Sequence, residues 1–217
     1  MAKKKNDEGA VIIFLIIGAL VFIPFMLLAF LHYRKMKSRY LTNRNVQRVV
    51  DIGRFYAVFG SGIAAIVVMF LVLWVGAANI GHGLENTPHA AVIICILMAL
   101  YVLFMLYPFK KLADAAATAY LGVILEDDFN TLIFPADLAN YTASDVIKLR
   151  FLKGLGTVER FQYSQITSFT REKGKLFYIH GDFGSRALSF SNKQKRDECL
   201  AALQQRIKFR GTRDLGY

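Results

Sequence analysis

The chain has 217 residues, 55% of them hydrophobic, and its 27 Lys and Arg against 16 Asp and Glu give a formal net charge of +11. A mean hydropathy of +0.37 excludes an ordinary soluble globular protein. The charge and the hydrophobicity occupy different regions: before Pro108 long uncharged runs alternate with basic flanks, whereas from Pro108 onward 17 Lys and Arg face 12 Asp and Glu, the mixed charge of a solvated domain.

Residues 1–9 form a short polar tail, followed by three uncharged runs, Ala10–Leu31, Phe55–Ala78 and Ala90–Tyr107, of 22, 24 and 18 residues. Crossing the hydrocarbon core takes about 20 helical residues. The sequence therefore predicts a three-helix transmembrane region over 10–119, with a basic connection at 32–54 and an uncharged-to-acidic loop at 79–89. Lys3–Lys5 resemble the start of a signal peptide, but Asp7 and Glu8, the length of the run and the lack of a small-residue cleavage site favour a retained anchor. Seven Lys and Arg lie between Arg34 and Arg54, and none between Gly81 and His89. The positive-inside rule then puts the first connection and the C-terminal domain in the cytoplasm, and the N-terminus outside.

The first connection has few breakers. Leu41, Val46, Val49, Val50 and Ile52 recur among its charges, so it is expected to extend the flanking helices around a turn near Thr42–Asn45. Arg34, Lys35, Lys37, Arg39, Arg44 and Arg48 are its candidate contacts to anionic lipid. In the second run Gly53, Ala57, Ser61 and Ala65 recur every fourth residue, a helix-packing stripe within the chain or between copies of it. Pro24 is expected to kink the first run. No run contains Asp, Glu, Lys or Arg, which argues against a pump or transporter.

Leu112–Tyr120 favours helix and continues the third span up to Gly122. Beyond it the periodicity changes to strands: Gly122–Glu126 and Thr131–Phe134 around an Asp127–Asn130 turn, Val158–Tyr163, then Ile166–Arg171, Leu176–Gly181 and Arg186–Phe190. Asp137–Lys153 fits a short helix or a strand. Ser191-Asn192-Lys193-Gln194 has the pattern of a capping box, and an amphipathic helix follows with Cys199, Leu200, Leu203 and Ile207 at three- and four-residue spacing. Cys95 and Cys199 lie in such different settings that no disulfide is expected, and a reducing compartment suits the tail.

The Leu132-Ile133-Phe134-Pro135 strand end, the Phe161–Ile166 strand entry and Phe190-Ser191-Asn192 before the last helix resemble the pleckstrin-homology-like (PH-like) domains of small bacterial membrane proteins, over Tyr120–Phe209. The resemblance implies a bent seven-stranded sheet or barrel with a C-terminal capping helix, spanning 120–209 and followed by a tail at 210–217. It further implies binding of lipids, peptides or other subunits. Lysines and arginines beside the first hairpin are the phosphoinositide signal of that superfamily. Here Glu126, Asp127 and Asp128 stand there instead, so a protein partner is expected, with Arg171, Lys173, Lys175 and Arg186 as its docking cations.

No residue set suggests catalysis or a cofactor. His82, Glu85 and His89 have metal-ligand side chains but sit in a short loop without a defined fourth ligand. Nucleic acid is disfavoured because acids intersperse the bases and no recognition motif appears. The expectation is a non-enzymatic, bacterial inner-membrane subunit, an accessory or scaffold of a secretion, pilus or conjugation type of assembly, with other complex subunits or copies of itself as partners. An anionic-lipid-responsive regulator and a small oligomeric, holin-like channel are the alternatives.

Overall fold

A computed structural model describes residues 3–42, 45–83, 89–136, 150–172 and 174–207, with the backbone alone for 3–17, 20 and 151. The elements run α1 (Lys3–Tyr40), β1 (Val46–Val49), α2 (Ile52–Gly83), α3 (Ala90–Leu121), β2 (Val123–Glu126), β3 (Thr131–Pro135), α4 (Phe151–Gly154), β4 (Val158–Gln162), β5 (Ile166–Arg171), β6 (Leu176–Gly181), β7 (Gly184–Ser189) and α5 (Lys193–Arg206). The fold is α+β. Among the described residues two helices, α2 and α3, each 32 residues long, are long and apolar enough to cross a membrane. Their most apolar stretches bury almost nothing in the protein, and Val68, Leu71, Trp74, Leu103 and Phe104 all stand exposed. A helix apolar around its whole circumference is suited to lipid rather than to water.

The first connection departs from expectation. α1 does continue to Tyr40, but after the turn the chain forms strand β1 instead of helix, and Val46–Val49 pair antiparallel with Glu126–Val123 of β2. Val46 and Val49 are β-branched and face opposite sides of the strand, Val46 toward α1 and α3 and Val49 into the core under α5. Without β1 the inner strand β2 would be an open edge. The reading of Asp137–Lys153 falls mostly on 137–149, outside the described residues; its end forms α4.

The strands make two antiparallel sheets, β1-β2-β3-β4 and β5-β6-β7. One core lies between them under α5: Val123, Leu125, Leu132 and Phe134 from the first sheet meet Phe177, Ile179, Leu188, Cys199 and Leu203. The opposite face of the first sheet is covered too. Ile124 and Ile133 pack on Met36 of α1 and on Ala117 and Leu121 of α3. That double burial explains why β2 and β3 read as continuous apolar runs rather than alternating ones. The alanines of α3, with Ala113, Ala115, Ala116, Ala117 and Ala119 all buried, leave room for α1, the sheet and α4 to approach one helix together.

α3 is a continuous helix from its uncharged run to Leu121, so it carries the sheet on its own end. Gly122 caps it at φ 74° and ψ −155°, a conformation in which residues other than glycine are strained. A Cβ there would also collide with the Val49 carbonyl of β1. Gly122→Ala is accordingly expected to destabilise the protein by about 2–4 kcal/mol, from backbone strain plus overpacking. Thermal unfolding in detergent with proteolysis of the tail as readout checks this; an unchanged transition would contradict so close an approach of β1.

Candidate functional site

Two sets of polar contacts fasten the tail sheet to the helices. The first is Arg48 on β1. Its Nε donates to the Leu121 carbonyl at 2.7 Å and its Nη2 to the Tyr120 carbonyl. Its guanidinium lies 5.7 Å and 5.2 Å from the ring centroids of Tyr33 and Tyr120, which meet edge to face. A cation on the last carbonyls of a helix satisfies unpaired acceptors and complements the helix dipole. Arg48 therefore caps the C-terminal end of α3.

The second is Asp51, which precedes α2. Its Oδ1 accepts from the Arg54 amide at 3.1 Å, the geometry of an N-cap. The same carboxylate accepts from the Ser191 hydroxyl and from the Ser191 amide, 140 residues along the chain. Arg54 Nη1 adds a bond to the Ser189 carbonyl at 2.9 Å. Gly53 lies directly under Ser191, where a Cβ would come within 2.5 Å of the hydroxyl oxygen. Burial pushes the Asp51 pKa up, but the Ser191 hydroxyl and amide, the Arg54 amide and the Arg54 charge outweigh it, and the net value lies below the ordinary 3.8.

Lower on α3, His32 Nδ1 of α1 sits 3.1 Å from Asp114 Oδ1, a contact between the two helices, and Gly156 packs against Asp114.

The predicted site residues divide between surface and framework. Arg34, Lys35, Lys37 and Arg39 are exposed along the end of α1, while Arg44 lies outside the described residues. Of the stripe, Gly53 contacts the tail domain, Ala57 and Ser61 are exposed and Ala65 is half-buried. Intrachain packing runs instead through Gly62 and Ile66, beside Phe25 of α1. Arg171 pairs with Asp197 at 3.0 Å and Arg186 with Glu159 at 2.8 Å; Lys175 is exposed and Lys173 lies outside the described residues. These four do not converge on one described site.

The acidic hairpin is also internally engaged. Glu126 pairs with Arg160 at 3.2 Å, Asp127 takes two bonds from Arg206 of α5, and Asp128 accepts from Asn45 at 2.8 Å. The Arg206 bonds hold Asp127 below its usual range against a smaller burial effect. The hairpin acids therefore hold α5 and β1 in place, and their repulsion of phosphate is weaker than their count suggests.

Arg196, 2% exposed, donates to the Glu172 and Gly174 carbonyls and so braces the β5–β6 turn. Burial pushes the Cys199 thiol up to about 12, which makes it a packing group without thiolate reactivity. Glu85 lies outside the described residues, and among those described no three His, Cys, Asp or Glu side chains are grouped to hold a metal.

β5 and β7 each pair with β6 alone among the described strands, and Arg186 of β7 is linked to Glu159 of β4. Thr167, Ser168, Thr170 and Arg171 of β5 are exposed. His180 beneath them bonds Thr170 and Ser185 through its two ring nitrogens at 2.8 Å and 2.7 Å, a hydroxyl–imidazole chain with no carboxylate in it.

In comparisons with known proteins the chain matches no family model, no curated protein and no solved structure.

Because the folded Asp51 pKa lies below its unfolded value, its contribution to stability is complete above about pH 3.8 and is lost as pH falls through the depressed folded value. Asp51→Asn is expected to cost about 1–2 kcal/mol at neutral pH, through the weakened cap and the Ser191 bonds, and to flatten the acid limb of stability. Melting temperatures of both proteins between pH 2 and 7 check this; parallel curves would remove Asp51 from the account.

Proposed function

We propose that the chain is a non-enzymatic integral membrane subunit whose tail is a PH-like module docking a protein partner, as an accessory or scaffold component of a multiprotein assembly of secretion, pilus or conjugation type. On this reading α1 supplies a third span through Ala10–Leu31, the N-terminus lies outside, and the tail domain is cytoplasmic at a bacterial inner membrane. The carrying observation is the insertion of β1, a strand from the α1–α2 connection, into the tail sheet beside β2. A module that shares a strand with the membrane region is held at fixed height and orientation, as a platform for assembly requires. Seven strands in a four-stranded and a three-stranded antiparallel sheet, followed by α5, support the PH-like reading, with the first strand drawn from the connection.

The partner surface that fits best is β5, an end strand of its sheet on which Thr167, Ser168, Thr170 and Arg171 are exposed. Unpaired strand edges accept an extended segment through main-chain hydrogen bonds. A photo-crosslinking residue at Ser168 or Thr170 is expected to capture one discrete protein in cells, while the same residue at Glu198 on α5 is not. Mass measurement after mild detergent extraction should show the same protein retained. A lone monomer with no crosslink at β5 would overturn the docking role.

The exposed Arg34, Lys35, Lys37 and Arg39 favour a second reading, a regulator responsive to anionic lipid. Its signature would be vesicle binding that depends on headgroup identity and persists at moderate salt.

A further inference from the structure

The tail domain also touches α3 close to the end of its uncharged run. Lys111 Nζ donates to the Leu155 carbonyl at 3.4 Å. Leu152 of α4 and Leu155 after it are buried on Ala115, with Leu112 and Val58 alongside, and Gly156 packs on Asp114. All these α3 residues lie within five positions of Lys110, about 8 Å along the helix. Just before them Tyr107, 51% exposed, closes the uncharged run with the kind of amphipathic ring that favours a membrane–water boundary. The segment 150–156 is therefore held at the depth where α3 leaves the hydrocarbon.

Among the described residues the exposed charges at this level are basic. Lys110 and Lys153 are exposed, and neither is ion-paired among the described residues. The carboxylate of that level, Asp114, is 8% exposed and faces His32. Elsewhere on the tail domain, by contrast, Arg160, Arg171, Arg186 and Arg206 each have a carboxylate partner.

We propose that Lys110, Lys111 and Lys153 form a rim that binds the phosphate of anionic phospholipid headgroups and seats the tail domain on its leaflet. The rim rests on the reading that α2 and α3 span the membrane, and it is independent of protein docking at β5. It differs from a lipid contact by the end of α1, because Arg34–Arg39 lie beyond Leu31 on a helix that continues away to Tyr40.

The test uses the full chain in mild detergent, titrated with phosphatidylglycerol or phosphatidylcholine, with bound lipid counted by native mass spectrometry. Wild type is expected to prefer phosphatidylglycerol. Lys110→Ala with Lys153→Ala is expected to weaken that binding about thirtyfold, about fivefold for each lysine. Lys110→Arg with Lys153→Arg should keep the binding, as should the quadruple alanine variant at Arg34, Lys35, Lys37 and Arg39. Unchanged binding by the double alanine variant, equal binding of the two lipids, or a loss confined to the quadruple variant would overturn the rim. Release of wild type from membranes by alkaline carbonate would overturn the spanning reading, and the rim with it, whereas loss of the β5 crosslink alone would leave the rim standing.

Discussion

The two-sided burial of β2 and β3 is the constraint on which the other contacts depend. Alternate residues of the same two strands point into different cores: Leu125, Leu132 and Phe134 into the space under α5, and Ile124 and Ile133 onto the projecting ends of α1 and α3. Burying one leucine or isoleucine side chain stabilises a fold by about 1.5–3 kcal/mol. The outer face thus loses Ile124 and Ile133 to water if the helices are removed. The tail domain is not a free unit on a linker; part of its hydrophobic surface is satisfied by helices that continue into the apolar region.

This arrangement sets what can move. A hinge between membrane helices and soluble domain needs a segment with few buried contacts. Here α3 enters the sheet without a break, β1 closes the edge of β2, and Asp51 joins the start of α2 to Ser191 at the start of the last turn before α5. These links come from three different points of the chain, so rotation about any one of them breaks the others. A displacement of α2 along its axis would be felt at the β7–α5 turn, on the far side of the sequence, through one buried carboxylate.

Much of this was legible in the sequence, and the parts that were not have a common cause. The bounds of β5 and β6, the end of α3 at Gly122 and the helix after Asn192 follow from local periodicity and breakers. β1 was missed because Val46-Gln47-Arg48-Val49 is too short to separate strand from helix by spacing alone; its identity is decided by an open strand edge more than seventy residues later. Asp51 carries a local sign, an acid one position before an apolar helix, but its partner Ser191 has none. The ion pairs of two candidate docking cations carry no sequence signal either. Arg171 and Arg186 look solvated in one dimension, yet Asp197 and Glu159 meet them in three.

Electrostatics at the surface therefore cannot be read from residue counts. The tail segment is net basic, but several of its arginines serve internal tasks: Arg196 braces a turn and Arg206 holds the β2–β3 hairpin through Asp127, as Arg48 of the α1–α2 connection caps α3. Arginine suits these roles because its planar fork satisfies several acceptors at once, and lysine carries a compact charge on a flexible stem. Two of the exposed cations near the end of the α3 apolar run, Lys110 and Lys153, are lysines. The field that reaches outward from the tail domain near its helices therefore comes in part from Lys110 and Lys153, two exposed side chains without an ion-pair partner among the described residues.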